Sequence, residues 1–90
     1  MILIECFTDA HMDNLATCLQ LQPQTLVFLG DGSVMQPEKK RYTEFLQSRL
    51  STQIHFCDIE GLELAEVCQK LQKWLDTKEK CVIDLTGGNT

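Results

Sequence analysis

The sequence predicts an α/β domain in three layers, with a parallel sheet between helices. Two observations predict it. Short apolar runs rich in β-branched residues alternate with helix-length amphipathic stretches, the order expected of successive β-α-β units. The strand runs are also nearly continuous in apolar character rather than alternating, which fits strands buried on both faces. A third observation sets the scale: 90 residues are enough for one domain and too few for two.

Each element follows from its residues. Ile2-Leu3-Ile4-Glu5-Cys6-Phe7 is the first strand. Thr8 or Asp9 caps the first helix, in which Met12, Leu15, Ala16 and Leu19 recur at helical spacing. Pro23 ends it, because the residue before a proline disfavours the α region. Thr25-Leu26-Val27-Phe28-Leu29 is the second strand, and Gly30-Asp31-Gly32-Ser33 a loop by composition. Pro37 suits the first position of the second helix. Glu38-Lys39-Lys40-Arg41 is its solvated first turn, and Tyr42, Phe45, Leu46 and Leu50 its apolar stripe. Ile54-His55-Phe56-Cys57 is a weaker strand suited to a sheet edge. Asp58, Glu60 and Gly61 form a turn. Leu64, Val67, Cys68, Leu71, Trp74 and Leu75 give the third helix the longest clean period in the chain. Cys81-Val82-Ile83-Asp84-Leu85 is the fourth strand, followed by the loop Thr86-Gly87-Gly88-Asn89-Thr90.

Right-handed crossovers leave few topologies for β-α-β-α-β-α-β. A Rossmann-like half with strand order 3-2-1-4 is the leading one. In such folds a helix follows the fourth strand, whereas here the sequence stops. Residues 1–90 are therefore expected to be a single domain truncated after the fourth strand, the N-terminal part of a longer protein.

Ligands of open α/β sheets bind beyond the carboxyl ends of the strands, where the strand order reverses. With order 3-2-1-4 that crevice lies between strands one and four. Its rims are Thr8, Asp9 and His11 on one side and Thr86, Gly87, Gly88 and Asn89 on the other, with Asp31 and Ser33 on the neighbouring loop. Glycines let backbone N–H groups approach a phosphate, and helix N-termini favour anions. Tight turns need glycine too, and for Gly30 and Gly32 the turn reading is the stronger one. Neither the dinucleotide fingerprint G-x-G-x-x-G nor a Walker A motif is present.

Composition narrows the function classes. Eight Lys and Arg against 13 Asp and Glu give a net charge of −5, which argues against duplex DNA as a partner. No apolar run approaches the roughly 20 residues of a membrane-spanning helix. The first residues lack the basic start of a signal peptide, so a cytoplasmic location is expected. The five cysteines, Cys6, Cys18, Cys57, Cys68 and Cys81, form no C-x-x-C and read as reduced thiols, mostly small buried hydrophobes. His11 and His55 offer no metal-ligand spacing. Asp9, Asp13 and Asp31 could suggest Mg²⁺, but Asp13 reads better as a solvated or capping residue. No metal and no cofactor are expected.

The strand Val82-Ile83-Asp84-Leu85 running into Thr86-Gly87-Gly88-Asn89-Thr90 is similar to the Thr-Gly-Gly-Thr-Lys motif after strand four in one branch of the CARF (CRISPR-associated Rossmann fold) domains. That branch, long catalogued as a domain of unknown function, carries a C-terminal restriction-endonuclease-like domain. The start is similar too: a hydrophobic strand, a polar turn, Asn14-Leu15 leading into a helix, then a Pro-containing link into Thr25-Leu26-Val27-Phe28-Leu29. The likeness spans all 90 residues in element order, with Thr86-Gly87-Gly88 its one distinctive motif. Asn89 and Thr90 stand where the family has Thr and Lys.

The resemblance implies a sensor. CARF domains bind cyclic oligoadenylates from type III CRISPR complexes at a homodimer two-fold and switch an attached effector, here a nuclease. A cyclic tetranucleotide has its own symmetry and suits a site shared by two like subunits. Carried over, Thr8, Asp9 and His11 lie on the loop after strand one, and Thr86, Gly87, Gly88 and Asn89 on the loop after strand four. No catalysis is expected of this segment itself. The alternatives are a domain that also cleaves its ligand, with Thr8, Ser33 or Thr86 orienting the attack, another mononucleotide- or flavin-binding α/β domain, or a truncated domain without activity.

Overall fold

The computed structural model describes residues 1–84. Residues 85–90, and with them the candidate residues Thr86, Gly87, Gly88 and Asn89, lie outside the described residues. Four strands, β1 (Ile2–Cys6), β2 (Thr25–Gly30), β3 (Gln53–Asp58) and β4 (Cys81–Asp84), form one sheet in the order β3-β2-β1-β4. Each neighbouring pair is parallel. The expected Rossmann-like α/β arrangement is therefore present. The helices are α1 (His11–Leu21), α2 (Gly32–Met35), α3 (Lys39–Gln47) and α4 (Leu64–Leu75). Among the described residues no helix is long and apolar enough to cross a membrane.

The register sorts side chains onto two faces. Leu3 and Phe7 of the first segment, Leu26 and Phe28, and Val82 join Cys18 of α1 and Tyr42 and Leu46 of α3 in one core. Ile2, Ile4, Val27 and Leu29 meet Leu71, Val67 and Trp74 of α4 in the other. The chain thus steps one way across the sheet under α1 and α3, then returns over the opposite face through α4 to reach β4. An aromatic cluster fills the first core. Phe7 and Phe28 meet edge to face at 5.2 Å, and Phe28 stacks on Phe56 at 5.4 Å, geometries that add to area burial.

Four local details differ from the sequence reading. Neither Thr8 nor Asp9 caps α1. Ala10 holds that position without a side-chain bond, because the Thr8 hydroxyl is already engaged with the Ala10 N–H and with Asn14. The Gly30–Ser33 stretch is not all loop, since Gly32 and Ser33 open the short helix α2. Asp31 caps it by accepting from the Ser33 backbone N–H at 2.8 Å. Gly32 packs against Asp58 so closely that a Cβ would lie 2.6 Å from its Oδ2, so a larger residue there would push the Asp58 side chain aside. The second predicted helix is split: Pro37 sits in a 3-10 turn over Gln36–Glu38, and α3 begins only at Lys39. Finally, the apolar stripe of α4 is narrower than its period suggests. Only Leu71 is buried, and Leu64 is 79% exposed, because among the described residues α4 is the one helix on its face of the sheet. A capping box between Glu63 and Glu66 starts this helix.

Candidate functional site

The strand order reverses between β1 and β4, and a cavity of about 300 Å³ opens there against α1. Glu5, Cys6 and Asp84 come from the strands, and Asp13, Asn14 and Thr17 from the helix. The location is the one the topology requires. Its chemistry is acidic, and among the described residues none of the candidates Thr8, Asp9, His11, Asp31 and Ser33 lines it.

Glu5 is the unusual residue. It sits mid-sheet in β1 between Leu3 and Phe7, facing α1 and the first core, and is only 3% exposed. Its Oε1 is buried without a hydrogen-bond partner among the described residues. The β1–β4 register places Asp84 directly beside it. Burial first, and the Asp84 charge second, push the Glu5 carboxyl from the usual 4.5 to about 8. At neutral pH it is therefore mostly protonated. Neighbouring thiols feel the same environment. Burial, then Glu5, pushes Cys18 up to about 12. Burial, then Asp84 and Glu5, raises Cys6.

Asp84 accepts a hydrogen bond from the Thr17 hydroxyl at 2.8 Å, tying α1 to β4 across the cavity. Asn14, buried at the cavity wall, is fully engaged. Its Oδ1 accepts from the Thr8 backbone N–H at 3.0 Å and from the Thr8 hydroxyl, and its Nδ2 donates to the Thr8 carbonyl and, at 3.1 Å, to the Tyr42 hydroxyl. This knot fixes the turn after β1 against α1 and α3. His11 Nδ1 also bonds the Tyr42 hydroxyl. That contact faces a second, apolar hollow of about 250 Å³ lined by Leu15, Arg41 and Phe45.

The candidates thus fall into separate places. Thr8 and His11 are joined through Asn14 and Tyr42, behind the crevice rather than in it. Asp9 is exposed. Asp31 and Ser33 bond each other at the end of β2, where Ser33 borders a different hollow with Lys39 and Asp58. Backbone N–H groups of Glu60 and Gly32, in that order of effect, hold the Asp58 carboxyl below the usual carboxylate range. The residues that sequence reasoning missed are Glu5, Thr17 and Asp84. A lone acid inside each of two apolar strand runs was the available signal for the carboxyl pair.

Among the described residues no group of three or more His, Cys, Asp or Glu side chains could hold a metal ion. What the crevice can do is accept N–H donors, through Asp84, and exchange or donate a proton, through Glu5. No family model, curated protein or solved structure matches this chain, so its chemistry rests on these side chains.

Proposed function

We propose that this chain is a cytoplasmic ligand-sensing module that binds a cyclic oligoadenylate across a homodimer two-fold and controls an attached nuclease effector. The observation that carries the reading is the crevice at the β1–β4 switch point, lined by a buried carboxyl that is neutral at pH 7. A protonated carboxyl offers one O–H and one carbonyl oxygen. Those complement the ring-nitrogen acceptor and amino donor on the pairing edge of adenine, the edge by which proteins read an unstacked base. A neutral Glu5 also adds no repulsion toward phosphates, which matters in a chain of net charge −5. The resemblance sets Thr86, Gly87, Gly88 and Asn89 on the loop after strand four, where hydroxyl, amide and backbone N–H groups would meet phosphates or adenine edges.

The test is calorimetric titration of cyclic tetra-adenylate into the chain, with linear tetra-adenylate as control. The expected result is saturable binding of one ring per two chains, selective for the ring, and weakening as the pH rises past about 8, where Glu5 ionises. No heat from either ligand, with the protein folded and dimeric, overturns the reading.

A further inference from the structure

We propose that the outer edge of β3 takes an added strand from an acidic partner, an extended segment in which Asp or Glu alternates with apolar residues. The edge lies at the opposite end of the sheet order from β4. The proposal goes beyond the oligoadenylate reading and does not rest on it.

Three observations carry it. The first is an unfilled ladder. Gln53 donates its backbone N–H to the Gln24 carbonyl, and Ile59 donates to that of Gly30, so the odd-numbered residues of β3 bond β2. The N–H and C=O groups of Ile54 and Phe56 therefore point away from β2, and among the described residues no strand lies on that side. Lys70 Nζ already bonds the outward Asp58 carbonyl at 2.8 Å, which sets one end of the open stretch. The second observation is space on both faces of this partly buried strand. A hollow of about 450 Å³ bordered by His55, Lys70, Lys73 and Trp74 runs along the α4 side of β3. Another of about 380 Å³, bordered by Lys39 and Phe56, runs along the other side.

The third observation is charge, and it selects the occupant. In a chain of net charge −5, this edge is rimmed by cations. Lys70 and Lys73 stand on the α4 side, with Lys73 Nζ 4.5 Å from the centre of the Trp74 ring. Lys39 stands on the other, 5.8 Å from the centre of the Phe56 ring. Two neighbouring acids are spent on backbone donors. Asp58, which ends β3, accepts from the Gly32 and Glu60 N–H groups, and Glu66, one turn before Lys70, accepts from that of Glu63. Lysines on an edge strand bar indiscriminate pairing, and a second copy would bring the same cations to the same edge. A strand with acids at alternate residues sets them all on one face, against Lys70 and Lys73. Its apolar residues then meet Phe56 on the other. Backbone bonds give such a complex its affinity, and the alternating side chains its selectivity.

The probe is acetyl-Glu-Val-Glu-Val-Glu-Val-amide, titrated calorimetrically into the chain and followed by the fluorescence of Trp74, the single tryptophan. Saturable binding of one peptide per chain with a shift in Trp74 emission is expected, and no binding of the matching Lys-Val peptide. A strand bonds its neighbour through alternate residues. N-methylation of either the valines or the glutamates should therefore abolish binding, and N-methylation of the other set should leave it. Lys70→Gln and Lys73→Gln should each weaken binding about two- to fivefold. Lys78→Gln, which removes an equal charge ahead of β4, should change nothing. Circular dichroism checks that the variants fold. Absence of saturable binding by the Glu-Val peptide overturns the proposal. So does equal binding of the Lys-Val peptide, any N-methyl result other than one set lost and one kept, or a loss in the Lys78→Gln protein equal to that in Lys70→Gln. A dimer of the chain that the Glu-Val peptide dissociates would give the edge to a second copy and overturn it as well. The oligoadenylate reading is separable, because cyclic tetra-adenylate should bind equally with the β3 edge saturated by peptide.

Discussion

Glu5→Gln tests whether the crevice carboxyl is held neutral by the fold. Between pH 4.5 and about 8 the folded chain keeps a proton on Glu5 that the unfolded chain has already lost. Stability from this group is therefore complete below pH 4.5, falls as pH rises, and levels above about 8. At about 1.36 kcal/mol per pH unit, the interval from 4.5 to about 8 corresponds to a ceiling near 5 kcal/mol. The crevice opens beside the carboxyl, and water in it screens part of the penalty, so about 2–4 kcal/mol is expected. Glutamine has the same shape and no charge at any pH. The variant should therefore match the parent near pH 4.5 and exceed it by that amount at pH 8.

Urea unfolding of both proteins at pH 4.5, 6, 7, 8 and 9 measures this directly. Other titrating groups are common to the two chains and cancel in the difference. The expected curve is a gap that widens between pH 4.5 and 8 and is constant beyond. A gap independent of pH would refute the reasoning, since Glu5 would then titrate alike in the folded and unfolded chains. A gap of a few kcal/mol is a large part of the stability of any 90-residue domain, so the effect is easily measured.

Asn14→Ala should cost about 2–3 kcal/mol in urea unfolding, because it strands the Thr8 backbone N–H and carbonyl and leaves the Tyr42 hydroxyl with His11 alone of its two side-chain partners. An effect below about 1 kcal/mol would mean that water replaces the side chain. Asp31→Ala removes the cap of α2 and should cost about 1 kcal/mol in urea unfolding, leaving the oligoadenylate titration unchanged. A change in that affinity would place Asp31 in the ligand site. Under a short iodoacetamide pulse read by mass spectrometry, exposed Cys68 should label first and buried Cys18, pushed up to about 12, last. The reverse order would contradict the packing of α1.

The layout of the sheet was legible because its signals are strong ones. β1 and β2 are nearly continuous apolar runs, and both are buried on both faces. Once alternation with helices is recognised, handed crossovers leave the order β3-β2-β1-β4 as a leading choice. The local misreadings have a shared cause, that composition was read without asking which polar atoms were already spent. Gly30-Asp31-Gly32-Ser33 looks like a loop, yet Asp31 is a helix cap, and Met35 one turn later is the buried anchor that makes the helix worthwhile. Thr8 has the right chemistry for a cap, but its hydroxyl serves Asn14. Of the described candidates, Thr8 and Asp9 lie on the turn after β1, His11 at the start of α1, and Asp31 and Ser33 at the start of α2. The crevice itself is walled by strand and helix residues whose role depends on pairing across β1 and β4, a long-range fact. Even so, Glu5 and Asp84 each interrupt an apolar strand run, and the order 3-2-1-4 sets those strands side by side.

Asp84→Asn separates the two causes that hold the Glu5 proton. Burial is the larger and the Asp84 charge the smaller. Glu5 stands between Leu3 and Phe7 on the central strand, and the substitution leaves that apolar setting intact while removing the neighbouring charge. The Glu5 midpoint, followed by carbon-detected NMR of its carboxyl, should therefore drop from about 8 yet remain clearly above 4.5. The Thr17 hydroxyl can still donate to the side-chain amide carbonyl that the substitution introduces, so α1 stays tied to β4. A fall all the way to the ordinary value would reverse the order of causes. The crevice would then be wet, the carboxyl pair would owe its proton to mutual repulsion alone, and any cation strong enough to neutralise Asp84 could release it without entering the site.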